Sequence, residues 1–254
     1  MTSQSTAPIP GAHDGPLLCD MPFAEVLMAE LDTAATVKKG ERTRKRLVAA
    51  AAQVLEQQGF HNMRVTDACK IAGVSQGTFY LYFENKSEIS RAVLHDFNQR
   101  GLSLLSETGP NTDPFQAIYD TTLTLARLYR QNPGLMQCLW QINDEAPDFG
   151  EILRDANAVW IRAIAQSITR RCGLRAQDAR NALFVAYALG AMVDQFLVSL
   201  YVARDPHVAE LKLNEEQAAE LLSVLWYRAA FCSDPPEGAL KFASSLENFH
   251  LITP

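Results

Sequence analysis

Long apolar runs and signal-like segments are missing from this sequence of 254 residues. Its most apolar stretch, residues 182–203, is broken by Asp194 and Gln195, so no segment reaches the roughly 20 uninterrupted apolar residues of a membrane span. The N-terminus has no basic region followed by an apolar run, which argues against a secretory signal. These absences predict a cytoplasmic protein that does not enter a membrane.

Clusters of residues that carry chemistry are missing as well. The five cysteines and five histidines are dispersed along the chain, without the CxxC pair or Cys/His spacing that binds a metal. The sequence also lacks a Ser/His/Asp set, a paired-carboxylate constellation and a glycine-rich phosphate loop. It therefore predicts no catalytic residue, no metal site and no cofactor, and indicates that the protein is not an enzyme. The cysteines are expected to be reduced, mostly buried thiols, with a redox role for Cys69 as the less favoured alternative.

The charge is unevenly divided along the chain. The formal net charge is −6, yet residues 38–100 contain eleven Lys/Arg against six Asp/Glu, and six of the nine residues from Lys38 to Arg46 are basic. A basic segment on an acidic remainder is typical of a protein that contacts nucleic-acid phosphates at one end only. We interpret the run from Lys38 to Arg46 as a DNA-backbone contact rather than an ordinary solvated face.

Helical periodicity runs through most of the chain, and Pro, Gly and Asn mark the boundaries of the periodic segments. No alternation typical of strands is visible, so the predicted fold class is all-α. The first long helix is expected to be capped by Thr43 and to stop at Gly59.

A helix-turn-helix is the most informative prediction. A short helix is expected over Val65–Ala72, Gly73 can end it in the left-handed conformation, and Ser75 can cap a second short helix. Two helices joined by a tight glycine-containing turn are a layout that places the second helix in the DNA major groove. In that helix Phe79 and Phe83 are four residues apart, so both can face the core.

The outer residues of the second helix suit base and phosphate recognition. Gln76 can address adenine with two hydrogen bonds, and Thr78 can meet a thymine methyl group or a base acceptor. Gly77 lets the helix approach the groove closely. Tyr80 and Tyr82 suit hydrogen bonds to phosphate oxygens.

This segment resembles the DNA-binding domain of the tetracycline-repressor (TetR) family over residues 41–100. The matching residues are Arg44, Leu47, Val48, Ala50, Ala51, Gly59, Phe60, Ala72, Gly73, Val74, Ser75, Gly77, Thr78, Phe79, Tyr80, Phe83 and Lys86. The resemblance implies a three-helix DNA-binding domain in a transcription regulator that forms a homodimer. It also implies a palindromic double-stranded DNA operator and repression that a small-molecule inducer relieves.

Three further residues complete the predicted DNA contacts. Lys86 lies on the first turn of the helix after the motif, where its charge can meet phosphate. Arg64 stands where the family usually has a Ser/Thr cap, and Arg64 could itself reach a phosphate. Thr66, on the first turn of the first motif helix, is assigned to the same surface.

The predicted organisation has four parts. Residues 1–40 form a leader, partly disordered and with a short extra helix near residues 21–35. Residues 41–100 form the helix-turn-helix DNA-binding domain, and residues 101–232 form a helical ligand-binding and dimerisation domain. Residues 233–254 form a C-terminal tail.

Aromatic and polar residues of the second domain are candidates for a ligand pocket. An apolar pocket between helices suits a body of this size and aromatic content. Asp194 interrupts an apolar helix, so it either serves a ligand, lies at a dimer interface or is exposed. The predicted ligand-binding residues are Tyr119, Trp140, Trp160, Phe184, Tyr187 and Asp194.

Two C-terminal helices are predicted to pair two copies of the chain. The helix over residues 176–203 is apolar on nearly every face, which is typical of a buried helix, and residues 214–231 carry a second apolar stripe. Together with their symmetry mates they would form a four-helix interface. Two recognition helices also supply the specificity that one short helix lacks.

The favoured function is a dimeric, sequence-specific repressor that an apolar or amphipathic ligand releases from its operator. One alternative is an enzyme or small-molecule-binding protein that merely contains a helical bundle. Another is a nucleoid-associated protein without an inducer, whose DNA affinity would depend on salt but not on sequence. Activation instead of repression also stays open.

Overall fold

The computed structural model describes residues 18–33, 38–106, 113–145, 147–175, 178–236 and 238–242. The helices in these ranges are α1 (Phe23–Thr33), α2 (Lys39–Asn62), α3 (Val65–Ala72), α4 (Gln76–Tyr80), α5 (Lys86–Ser106), α6 (Pro114–Gln131), α7 (Pro133–Glu145), α8 (Pro147–Arg171), α9 (Ala179–Leu197), α10 (Pro206–Ala209) and α11 (Glu215–Phe231). A π-helical segment, Val198–Val202, continues α9. The described ranges contain no strand, which confirms the all-α prediction. Most of the predicted leader and tail lies outside the described residues.

The start of α2 differs from the prediction. Thr43 is not its N-cap, because the helix begins four residues earlier and the Thr43 hydroxyl donates to the carbonyl of Lys39 at 3.1 Å. Lys and Arg are good helix formers, and the basic run extends the helix despite Gly40. Gly59 does break the helical geometry, with φ 74°, although the helix resumes as far as Asn62.

The helices α1 to α5 share one core. α2 packs against α1, α3 and α5, and Leu47, Phe79 and Phe97 are almost completely buried between them. α5 continues beyond this core to pack against α6 and α8. The predicted domain boundaries at residues 40 and 100 therefore fall inside α2 and α5, and the division into domains stays a prediction.

The C-terminal half is built from two main helix pairs. α6 packs along α11, and α8 packs along α9. α7 packs back against α2, so the C-terminal helices are connected to the core of α1 to α5 through both α5 and α7.

α9 is buried on one face only, which corrects the expectation of a fully buried helix. Phe184 is 72% exposed and Tyr187 is 50% exposed. By length and composition alone, Ala179–Val202 could cross a membrane, but core helices of soluble proteins meet the same criterion and it is weak evidence. The exposed face of α9 is an apolar surface without a partner in the single chain.

Candidate functional site

The α3–turn–α4 motif forms as the sequence predicts. Gly73 adopts the left-handed conformation, with φ 64° and ψ 40°, and the N–H of Val74 donates to the carbonyl of Cys69 at 3.0 Å. The Ser75 hydroxyl then accepts from the N–H of Thr78 at 3.1 Å and caps α4. These short-range bonds fix the direction in which α4 leaves the turn.

The two faces of α4 and the turn after it divide as the spacing predicts. Phe79 and Phe83 are buried, with exposed fractions of 0% and 2%, and their ring centroids are 5.8 Å apart. Gln76 and Gly77 are exposed, and so is Tyr80, at 56%. Phe79 and Phe83 therefore anchor this segment in the core, and the polar first turn of α4 lies at the surface.

The other residues predicted to contact DNA lie in α4 or next to it. Arg64 and Thr66, at the start of α3, are exposed, whereas Thr78 and Tyr82 are half-buried. The Thr78 hydroxyl lies 3.0 Å from the capping hydroxyl of α4. A Cβ atom added at Gly40 would lie 3.5 Å from the Tyr82 hydroxyl, so Tyr82 reaches the first turn of α2.

Lys86 has an intramolecular role that the sequence did not reveal. Its ammonium group donates to the carbonyls of Phe60 and His61, both at 3.1 Å, and lies 5.0 Å from the Phe60 ring centroid. These carbonyls belong to the last turn of α2, so Lys86 ties α5 to the C-terminal end of α2. Any phosphate contact by Lys86 would have to share the ammonium group with these bonds.

The basic run forms the first two turns of α2. Each of its arginines contacts the protein: Arg42 at the carbonyl of Leu31, Arg44 over the ring of Phe83 and Arg46 at the carbonyl of Ala72. Lys38, Lys39 and Lys45 are exposed. The arginines therefore help to position α2 against its neighbours, and the lysines supply positive charge at the surface.

Two adjoining cavities lie between the helices of the C-terminal half. Their volumes are about 620 Å³ and about 610 Å³, which is the size of a drug-like ligand site. The first cavity is bounded by α5, α6, α8, α9 and α11, and the second by α5 to α9. Six residues line both: Leu105, Leu125, Trp160, Ile161, Gly190 and Asp194.

Four of the six predicted ligand residues line these cavities. Trp160 and Asp194 line both, and Trp140 and Tyr187 line the second. The helical spacing of the sequence thus brings aromatic side chains from α7, α8 and α9 to one place.

Tyr119 and Phe184 line neither cavity, which corrects that part of the prediction. Burial and the negative charges of Glu216 and Glu220 raise the pKa of Tyr119, which places this α6 residue beside α11. Phe184 lies on the exposed face of α9. Helical spacing alone is therefore compatible with a cavity position for both residues, but Tyr119 lies beside α11 and Phe184 lies at the surface.

Asp194 is bound by Tyr129, which is not among the residues predicted from the sequence. The hydroxyl of Tyr129 donates to Oδ1 of Asp194 at 3.2 Å, and Trp140 in turn hydrogen-bonds to Tyr129. Burial raises the pKa of Asp194 to about 6, against the opposing effect of the Tyr129 hydrogen bond. Asn98, also on the wall of the second cavity, has a buried side-chain Nδ2 without a hydrogen-bond partner.

The cysteines do not form a redox or metal centre in the described part of the chain. Cys19, Cys69 and Cys138 are buried, Cys172 is half-buried and Cys232 is exposed, all as free thiols. Burial raises the pKa of Cys69, which lowers its thiolate fraction and favours a packing role. Within the same residues, no three His, Cys, Asp or Glu side chains are grouped to hold a metal.

Comparisons with known sequences lead to one family. The profile described as "Bacterial regulatory proteins, tetR family" matches residues 47–93. The HTH-type transcriptional regulator YdgC of Bacillus subtilis is 43% identical over 79 residues, which are 30% of this chain and only 40% of that protein. The HTH-type transcriptional regulator EthR of Mycolicibacterium smegmatis is 26% identical over 201 residues, 77% of this chain and 89% of that protein.

Solved structures share the fold. The GusR protein of Salmonella enterica superposes with a TM-score of 0.60 at 20% identity, covering 77% of this chain and 99% of that one. A transcriptional regulator from Rhodococcus sp. superposes with a TM-score of 0.59 at 23% identity, covering 73% and 96%. Members of the matched family are transcriptional regulators, not enzymes. The motif geometry and the profile match show that residues 47–93 carry a helix-turn-helix of the tetR family of bacterial regulatory proteins, and most of the chain shares the fold of these solved structures.

Proposed function

We propose that this regulator is a dimeric repressor that binds a palindromic operator and leaves it when a small apolar or amphipathic molecule occupies the cavities. The observation that carries the DNA half of the proposal is the exposed first turn of α4, anchored from inside by Phe79 and Phe83. A helix anchored on one side and polar on the other is suited to the major groove.

Base recognition is assigned to the first turn of α4. Gln76 is exposed there, and its amide can form two hydrogen bonds with adenine. Thr78 offers a methyl group to thymine, while its hydroxyl is engaged with the α4 cap. Gly77 leaves room for close approach to the groove.

Phosphate contacts are assigned to the surroundings of α4. Tyr80 and Tyr82 can donate hydroxyl hydrogen bonds, and Arg64 and Thr66 can add contacts from the start of α3. We propose that Lys86 acts mainly as a positioning residue, because its ammonium group is bonded to the end of α2.

Dimerisation is supported by the exposed apolar face of α9. A single five-residue recognition helix buries too little surface for useful specificity. Two copies that bind one face of the DNA together multiply the specificity of each. An isologous contact of α9 and α11 with their symmetry mates would cover Phe184 and Tyr187.

Ligand release is supported by the position of α5. This helix lines both cavities near its C-terminal end, and at its first residue it holds α2 through Lys86. A ligand that favours another position of α5 would change the spacing of the two recognition helices, which must match successive major grooves about 34 Å apart.

Titration of DNA from the protein's own upstream region tests the repressor proposal, with fluorescence anisotropy as the readout. We expect Gln76→Ala to weaken binding by about 1–3 kcal/mol at one operator position and to relax its base preference. Tyr80→Phe should weaken binding to all sequences by about 1 kcal/mol. Gln57→Ala, an exposed glutamine of α2, is the matched control and should bind as the parent protein does.

Two outcomes would contradict the proposal. No rise in anisotropy at low or moderate salt would exclude a DNA-binding regulator of this region. Binding that depends on salt but shows no preference for the upstream DNA would favour the nucleoid-associated alternative. A reporter gene behind the same DNA distinguishes repression from activation.

A further inference from the structure

Asp194 is a buried acid on the wall that the two cavities share. One of its oxygens accepts the hydrogen bond from Tyr129. In the part of the chain that the structure describes, no lysine, arginine or histidine forms an ion pair with it. A buried carboxylate without a cation is unfavourable, so its surroundings are suited to a positive partner.

The charged state of Asp194 is consistent with such a partner. Burial raises its pKa to about 6, so at neutral pH the carboxylate is mainly ionised. The causes of this shift are burial and the Tyr129 hydrogen bond, with no contribution from a neighbouring cation. The acid is therefore a negative site inside a largely apolar cavity.

Aromatic side chains surround the same space. Tyr129, Trp140, Trp160 and Tyr187 line the second cavity together with Asp194. Aromatic faces attract cations, and quaternary ammonium groups are commonly bound where several aromatic rings meet. The combination of a carboxylate with four aromatic residues selects for positive charge more strongly than either feature alone.

The arginines near the cavities do not occupy this site. Arg154 lines the second cavity, and Arg170 and Arg171 line the first. All three are exposed side chains, and none of them contributes to the shifted pKa of Asp194. An anionic ligand would be drawn toward these arginines, which makes an anion the natural competitor to test.

We propose that the second cavity binds a cationic amphiphile, an apolar body with a protonated or quaternary amine whose positive charge pairs with Asp194. This inference rests on the proposed ligand-sensing function and specifies its ligand class. The volume of about 610 Å³ accommodates a ligand with a ten-carbon chain and a trimethylammonium head. Asn98 can donate its unpartnered N–H to an acceptor on such a ligand.

Calorimetric titration of the full-length protein with three ten-carbon probes tests the charge preference. The probes are decyltrimethylammonium, decanol and decanoate, each below its critical micelle concentration. We expect decyltrimethylammonium to bind most tightly of the three. Asp194→Asn should lower the affinity for decyltrimethylammonium about tenfold or more and should change the affinity for decanol less than about threefold. The trimethylammonium head cannot donate a hydrogen bond, so the loss reports charge pairing.

Two further variants complete the test. Asp155→Asn removes the same charge from an exposed position on α8 and should leave all three affinities unchanged. Tyr187→Leu keeps an apolar side chain at a half-exposed position. It should lower the affinity for decyltrimethylammonium several-fold and leave the affinity for decanol unchanged. Circular dichroism confirms that each variant is folded.

Each contrary result has a distinct meaning. If decanol or decanoate binds as tightly as the cation, or if Asp194→Asn loses no affinity, the proposed charge preference is wrong while ligand sensing stands. If none of the three probes binds, the cationic-amphiphile inference is overturned. The DNA titration described above then decides the repressor function independently.

Discussion

Glu56 is a half-buried carboxylate that joins the two halves of the molecule. Its two oxygens, on α2, accept hydrogen bonds from the N–H groups of Gly134 and Leu135, both at 2.9 Å. These are free donors of the first turn of α7, so Glu56 caps a helix 78 residues away. Burial raises the pKa of Glu56, and the two hydrogen bonds partly oppose this shift.

Gly134 is required by the close approach of α7 to α2. A Cβ atom at this position would lie 2.0 Å from the carbonyl oxygen of Glu56, a backbone atom that cannot rotate away as the end of a side chain can. Gly134→Ala is expected to lower the free energy of unfolding by about 3 kcal/mol, measured by urea denaturation. Gly190→Ala is the control, because its Cβ would meet only Ile161 at 3.4 Å. Equal stability of both variants would contradict the proposed close packing.

Asp194 makes a pH-dependent contribution to stability. Its pKa is raised from 3.8 to about 6, so between these values the folded state holds a proton that the unfolded state has lost. The ionised acid therefore destabilises the fold above pH 6, and this cost disappears as the pH falls below about 4.

Asp194→Asn removes this cost while still accepting the Tyr129 hydrogen bond. We expect the variant to be more stable than the parent by about 1–2 kcal/mol at pH 7.5, with the difference shrinking at pH 4.5. Urea denaturation at the two pH values measures this change. If the stability gain of Asp194→Asn is the same at pH 7.5 and pH 4.5, titration of Asp194 is not its cause. The same conclusion follows if the exposed Asp155→Asn control gains as much stability.

At the scale of elements, α1 is an integral part of the N-terminal core. Phe23 is fully buried, and its N–H donates to Oδ1 of Asn132 at 2.7 Å, between α6 and α7. Glu30 forms an ion pair with Arg100 of α5, whose guanidinium lies 5.7 Å from the Phe23 ring centroid. The predicted extra helix is thus confirmed, and α1 connects α2, α5 and the α6–α7 junction.

Asn132→Ala tests this connection. The variant leaves the buried N–H of Phe23 without an acceptor, so we expect a loss of about 1–3 kcal/mol in unfolding free energy. Hydrogen exchange should show the loss of protection first in α1. Gln131→Ala removes an exposed bond to the carbonyl of Asp20 and should have a much smaller effect. Equal protection of α1 in both variants would show that Asn132 is not its anchor.

At the scale of the whole molecule, the apolar face of α9 and the basic end of α2 require different partners. Phe184, at 72% exposed, is the most exposed aromatic side chain on α9. Phe184→Arg is expected to convert a dimer to a monomer in sedimentation velocity, because it places charge in the centre of an apolar contact. The affinity of this variant for the operator should also fall, because a monomer contacts only one half-site.

Leu211→Arg is the control for dimerisation. Leu211 is also apolar and exposed, at 56%, but lies between α10 and α11. This variant should sediment like the parent protein. A Phe184→Arg variant that remains dimeric would assign the interface to another surface.

Turn and cap chemistry in the helix-turn-helix is readable before the fold is known. Gly73 and Ser75 act on backbone groups within a few residues, and the spacing of Phe79 and Phe83 defines the inner side of the motif. These interactions are short-range, so the bounds of α3 and α4 follow from the chain alone. The same holds for the all-α class and the extra helix α1.

Contacts between distant segments, in contrast, cannot be predicted from local sequence. The bonds from Lys86 to the end of α2, from Tyr129 to Asp194 and from Gly134 to Glu56 join residues 26, 65 and 78 positions apart. Helical periodicity shows which residues share a face but not which helix covers that face. Packing alone separates Trp160 and Tyr187, which line a cavity, from Tyr119 and Phe184, which do not. The recognition motif is therefore a property of local sequence, whereas the cavity and its acid arise from long-range packing.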